Sequence, residues 1–182
     1  MSRKIYLNQS LGRRQFKEVF TALLLGTLFN KDQLWIVSPW VTDFELIDNT
    51  ANQWNALVPQ FEPRYIRFSE VLIMLVQAGV ALKMVIRRDP INSPFLAVLY
   101  YQLGKHEGLS ICCVDKLHTK GVISKDGLIE GSLNLTYSGV ESNDEVVTLN
   151  TDPKNISESL LEFKKYTQWE KIQDVVLSKM GE

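Results

Sequence analysis

The sequence predicts an α/β fold in which a mixed β-sheet is sandwiched by helices on both faces. Three observations lead there. Short runs rich in β-branched and aromatic residues alternate with longer segments whose apolar residues recur at helical spacing. "QLWIVSP" is a buried-strand run ended by proline. No internal repeat and no low-complexity linker interrupts the pattern, so residues 1–182 read as a single domain with one core.

The elements follow in order. "RRQFKEVFTALLLGTL" has apolar residues at helical spacing, from Phe16 through Phe20, Leu23 and Leu24 to Leu28. The "QLWIVSP" strand comes next. Residues 42–62, "TDFELIDNTANQWNALVPQFE", are the least regular stretch and read as an excursion from the scaffold that flanks the candidate site. "RYIRFSEVLIMLVQAG" reads as an amphipathic helix closed by Gly79. "VALKMVIRR" is a strand, and "SPFLAVLYYQLG" is a helix with Pro94 in its first turn. "LSICCVD" leads into a hairpin and "DEVVTLN" forms a further strand. "SESLLEFKKYTQWEKI" closes as a helix capped by Ser157 or Asn155.

Composition narrows the function classes. Apolar content of 45% and charged content of 23% are ordinary for a soluble protein. The net charge of −1 creates no global field, so any anionic partner must be met by a local patch. The apolar stretch from Phe20 to Leu28 is far short of a membrane span, and "MSRKIYLNQS" lacks the apolar core of a signal peptide. No stable membrane insertion is expected. Cys112 and Cys113 are adjacent and make no sensible structural disulfide, which fits a reducing cytoplasm. With only His106 and His118 and no CxxC, zinc is not expected, and the absence of a GxxxxGK loop argues against a nucleotide triphosphatase. Catalysis is expected to need no metal and no cofactor.

The densest chemistry lies in "HTKGVISKDGLIEGSLNLTYSGVESNDE", residues 118–145. Side chains two apart on a strand share a face, which joins His118 with Lys120 and Ser132 with Asn134. A two-residue Asp-Gly loop would pair Lys125 with Leu128 and send Ser132 and Asn134 to the far side. A three-residue loop, Lys125-Asp126-Gly127, pairs Ser124 with Leu128 and sets Lys120 opposite Ser132 and His118 opposite Asn134. The three-residue loop is the expected one, since it gathers all four groups. A histidine able to attack or exchange a proton, a fixed cation and two hydrogen-bonding side chains suit a tetrahedral anion.

His118-x-Lys120, Gly131-Ser132-x-Asn134 and Asn143-x-Glu145 together resemble the active-site signature of the phospholipase D superfamily, whose members are phosphodiesterases acting on phospholipids or nucleic acids. The resemblance is strong over residues 109–150. One departure stands out: the family aspartate five residues after the lysine is Lys125 here, leaving Asp126 to take that role from within the turn. The family uses two HxK motifs, one histidine attacking phosphorus and the other protonating the leaving oxygen. This chain has one, because His106 in "GKHEG" has no lysine two residues on. For a single-motif chain the resemblance implies a homodimer with the active site at its interface and a phosphohistidine on His118. Lys120 and Asn134 would hold the non-bridging oxygens and Ser132 would add a hydrogen bond. Glu145 would accept from the far ring nitrogen of His118.

Weaker candidates surround this set. Trp40 in "VSPWVTD" is placed to stack on a base or line the pocket, and Arg87 and Arg88 to bind phosphate, as are Arg13, Arg14 and Lys116. Lys164 and Lys165 read as an exposed helix face. The preferred function is a nuclease, with DNA favoured over RNA. A phospholipase is the second reading. The third is a non-catalytic dimeric nucleic-acid binder in a bacterial assembly, since similar single-motif members occur in phage-defence gene clusters alongside partner proteins.

Overall fold

The computed structural model describes residues 1–166. Its architecture follows from strands that bury both faces. In β2 (Gln33–Val37), Leu34 and Ile36 enter one apolar layer while Trp35 and Val37 enter the other. The same division holds in β5 (Ala81–Ile86), β7 (Gly121–Ile123) and β8 (Leu128–Gly131), where Met84, Val122 and Ile129 face one way and Val85, Ile123 and Leu128 the other. With β1 (Ser2–Tyr6), β6 (Leu109–Cys113) and β9 (Val146–Asn150), these strands form a seven-stranded sheet ordered β1-β9-β8-β7-β2-β5-β6. β2, β5 and β6 run parallel, and every other neighbouring pair is antiparallel. Two covering layers are therefore required.

Helices α1 (Ser10–Asn30), α2 (Phe68–Gln77) and α3 (Ser93–Leu103) supply one layer, which α4 (Tyr137–Glu141) joins through Val140. Helix α5 (Pro153–Lys165) supplies the other through Ile156 and Phe163. Phe68, fully buried at the start of α2, packs against Phe20, Phe44 and Phe95 at centroid distances of 5.5, 5.0 and 5.5 Å. Phe16 stacks on Phe20 at 5.3 Å. These rings bind the first three helices into one core.

The expected sandwich is present, with local corrections. The run from Tyr65 does not begin as helix: Tyr65–Arg67 is strand β4, paired with β3 (Glu45–Asp48) in a separate two-stranded sheet. Helix α2 starts only at Phe68 because Asp43 accepts hydrogen bonds there from Ser69 N (3.0 Å), Ser69 Oγ (2.9 Å) and Arg67 Nε (2.6 Å). Strand β1 was hidden by its polarity, since only Ile5 of its five residues is buried, as suits a charged edge strand. The cap of α5 is Asp152, which accepts from Lys154 N (2.9 Å) and Asn155 N (3.3 Å), rather than Ser157 or Asn155. The expected continuation of that helix through residues 167–172 lies outside the described residues. Among the described residues no helix is long and apolar enough to cross a membrane.

Because Phe68 joins three rings at one point, Phe68→Ala is expected to cost about 3–5 kcal/mol, through lost burial plus an unfilled cavity. Urea unfolding followed by circular dichroism measures this. A loss below about 1 kcal/mol would show that the core collapses around the gap.

Candidate active site

The hairpin register differs from the expected one. Ile123 pairs with Leu128, Val122 with Ile129 and Gly121 with Glu130. Four residues, 124–127, therefore separate the last ladder pair, and within them Ser124 N donates to Gly127 O at 2.9 Å, leaving Lys125 and Asp126 at the tip. Continued regularly, this ladder sets Lys120 opposite Gly131 and turns Ser132 and Asn134 to the other face. The four groups nevertheless meet, because both strands stop short of them. His118 and Lys120 precede β7, while Ser132 and Asn134 follow β8.

Gly131 marks the departure. A Cβ on it would lie 2.1 Å from Val146 O, so only glycine permits β8 to press this closely on β9. Ser132 then stays with β9: its N donates to Val146 O (3.0 Å) and its Oγ accepts from Val146 N (3.1 Å). Beyond Asn134, Leu135 bridges in parallel to Val41 and accepts from Thr42 N at 3.0 Å. This path brings His118, Lys120, Ser132 and Asn134 together with Trp40, Thr119, Glu130 and Gly131 around one open pocket of about 620 Å³.

Within the pocket Lys120 Nζ lies 3.1 Å from His118 Nδ1 and donates to His118 O at 2.5 Å. An ammonium only donates, so this contact is a hydrogen bond only with the ring nitrogen's lone pair as acceptor. Burial pulls the Lys120 pKa below the ordinary lysine range, an effect partly offset by the negative charge of Glu145. Glu145 itself accepts hydrogen bonds from Ser132 Oγ and, at 3.4 Å, from Asn143 Nδ2. The expected bond from His118 to Glu145 is not among its contacts; within one chain the carboxylate orients Ser132 instead. Asn134 Oδ1 is enclosed and has no hydrogen-bond partner among the described residues.

Asp126 stands at the opposite end of the hairpin. Its Oδ2 accepts from Asn30 Nδ2 at 2.8 Å, and its N donates to Ser124 Oγ at 3.2 Å. It ties the turn to the end of α1, a structural contact made from one residue beyond the family position.

Trp40 forms the pocket wall that the hairpin does not. Three groups fix its backbone. Asn92 Oδ1 accepts from Val41 N (2.7 Å), Asn92 Nδ2 donates to Pro39 O (3.0 Å), and Ser38 Oγ donates to Trp40 O (2.8 Å) while accepting from Leu135 N (3.1 Å). The indole Nε1 donates to Asp89 Oδ2 at 2.9 Å, and that bond is the main reason the Asp89 carboxyl titrates below its usual range. Arg87 Cζ lies 5.8 Å from the ring centroid, and Arg87 Nε donates to Asp115 O at 2.9 Å. Sequence reasoning missed Asn92 and Asp89, and the clamping role of Ser38. The one available signal was a hydroxyl and a proline ending an apolar strand.

Other candidates lie apart. Arg88 forms an exposed ion pair with Asp115 at 3.7 Å. Arg13 and Arg14 line a second groove of about 670 Å³, between α1 and residues of the 42–62 excursion, where Arg13 Nη2 donates to Ser142 O and Arg14 pairs with Glu18. The excursion thus flanks that groove, not the His118 pocket. Lys116 is exposed in the loop before His118, and Lys164 and Lys165 are exposed on α5. His106 follows α3, and its Nδ1 accepts from Gly108 N at 3.0 Å. Cys112 and Cys113 are buried and take part in no disulfide. Among the described residues no three or more His, Cys, Asp or Glu side chains gather as metal ligands.

A family model described as "Cardiolipin synthase, PLD-like domain" matches residues 31–167, most of the chain. The chain belongs to the phospholipase D superfamily. No curated protein matches it. Solved structures share the fold at low identity. Nuc from Salmonella typhimurium, a phospholipase D family member, aligns with a TM-score of 0.63 and 15% identity, over 94% of this chain and 97% of its own. NucT from Helicobacter pylori gives 0.62 and 13%, over 93% and 98%. TrmBL2, an archaeal chromatin protein with a novel mode of DNA binding, gives 0.60 and 13%, over 93% of this chain and 52% of its own. This phospholipase D-like chain therefore matches two relatives along almost their whole length.

Asn92 is 1% exposed and serves Val41 N, Pro39 O and Arg87 O. Asn92→Ala is expected to cost about 2–4 kcal/mol, because it leaves these backbone groups without partners behind the Trp40 wall. Chemical denaturation checks the value; an unchanged midpoint would mean that water replaces the amide.

Proposed function

We propose that this phospholipase D-like phosphodiesterase is a metal-independent nuclease that cleaves nucleic-acid diesters at the interface of a homodimer. The observation that carries the reading is the single histidine in the pocket. His118 stands there with Lys120, Ser132 and Asn134, while His106 is elsewhere. A reaction that needs both a nucleophile and an acid is then half-provided by each chain, and a twofold axis supplies the other half.

The steps assign roles to these side chains. A ring nitrogen of His118 attacks phosphorus, the bond to the leaving oxygen breaks, and His118 of the partner subunit gives that oxygen its proton. The same partner histidine then removes a proton from water, whose oxygen attacks phosphorus and breaks the P–N bond. Lys120 offsets charge on the non-bridging oxygens, and the amide of Asn134 hydrogen-bonds to them. Glu145 accepts a hydrogen bond from the Ser132 hydroxyl and so fixes that side chain beside Asn134. Likeness to a DNA-binding chromatin protein and the Trp40 wall favour a nucleic-acid substrate. One observation favours a second reading, cleavage of a phospholipid: the description of the matching family names cardiolipin synthase.

Purified protein offered single- and double-stranded DNA, RNA and phosphatidylcholine in EDTA is expected to cleave nucleic acid as a dimer by light scattering. His118→Ala is expected to fall to background with its melting temperature kept. Activity that disappears in EDTA and returns with magnesium, or an active monomer, overturns the mechanism. Cleavage of the lipid alone selects the second reading.

Lys120 also sets an alkaline limit. It helps only while charged, so kcat/KM is expected to fall as pH rises through its lowered pKa, earlier than for an ordinary lysine. Lys120→Arg is expected to move this limb to higher pH. Glu145→Gln removes the charge that raises the lysine pKa, so it is expected to move the limb lower. A limb unmoved by both substitutions assigns it to another group.

A further inference from the structure

We infer that Trp40 is a stacking platform for an unpaired nucleobase beside the scissile phosphate, which makes single-stranded nucleic acid the preferred substrate. The inference rests on the nuclease reading above.

The ring is built to stay in place. It lines the same pocket as His118 and Lys120, so a phosphate held by those two groups brings the adjoining nucleoside to the indole. Its Nε1 is held by Asp89 at 2.9 Å, and its backbone is clamped by Ser38 and Asn92. Asp89 is itself anchored, accepting from Ile91 N at 3.1 Å. A ring held this firmly loses little freedom when a base stacks on it. It is half-buried and lines the open pocket.

The neighbouring charge selects the occupant. The Arg87 guanidinium already lies 5.8 Å from the ring centroid. A quaternary ammonium headgroup would compete with that cation for the same ring and be repelled by it. A neutral base meets no such penalty and stacks regardless of sequence. In a duplex each base is already stacked and paired, and flipping one out costs a few kcal/mol of unstacking and unpairing. A single strand avoids that cost.

The test combines protein and substrate changes. Wild type, Trp40→Ala and Trp40→Phe are assayed on a labelled thymidine strand, on its duplex, and on strands with one abasic residue at successive positions. The single strand is expected to be cut at least about tenfold faster than the duplex, since a flipped base costs a few kcal/mol. An abasic residue at one position next to the cut is expected to lower wild-type kcat/KM about 5- to 150-fold. Trp40→Ala on the intact strand is expected to lose a similar factor, and the two changes together little more than either alone. Trp40→Phe, which keeps an aromatic face, is expected to retain most of the activity. Losses that multiply, or equal cutting of strand and duplex, overturn the platform and leave the nuclease reading standing. Cleavage of phosphatidylcholine vesicles with no nucleic acid cut overturns both.

Discussion

Burying both faces of the central strands at once is the constraint from which the rest of this structure follows. Leu34 and Ile36 cannot leave one apolar layer, nor Trp35 and Val37 the other, without exposing a whole strand face. Helices must cover both sides, and the sheet interior has no room for an unpaired polar group. Polar side chains are thereby displaced to the rim. His118 and Lys120 lie before β7 begins, and Ser132 and Asn134 after β8 ends. The pocket exists where the ladder stops.

A rim without ladder hydrogen bonds needs other means of holding its shape, and side chains provide them. Ser38, with no exposed surface, joins the end of β2 to Leu135. Asn92 bridges Pro39, Val41 and Arg87. Gly131 lets β8 lie against Val146, which in turn holds Ser132. Each of these buried or close contacts fixes a neighbour of a pocket residue, so the pocket inherits rigidity from the core below it.

The pocket is electrostatically asymmetric. Lys120 leans on the carbonyl and ring of its own His118, while Glu145 is engaged by Ser132 and Asn143. Cation and carboxylate thus have separate partners, yet Glu145 is close enough to oppose the drop in the Lys120 pKa.

The sequence by itself determined the sandwich, most of the helical and strand periods, and which polar residues gather around one pocket. These depend on local pattern: apolar runs set the layers, and HxK with GSxN names polar groups that an apolar hairpin has no structural need for. The register was not legible. Local sequence offered a two-residue Asp-Gly loop or a three-residue Lys125-Asp126-Gly127 loop, whereas the pairing formed between β2 and β9 joins Ile123 to Leu128. Strand β1 was missed because four of its five residues are exposed, and its pairing partner lies more than a hundred residues away. Trp40 was visible as a candidate, but its wall depends on Asn92, Asp89 and Arg87, about fifty residues further along. Local sequence encodes local preference; which distant backbone a side chain must satisfy is decided only when the chain closes on itself.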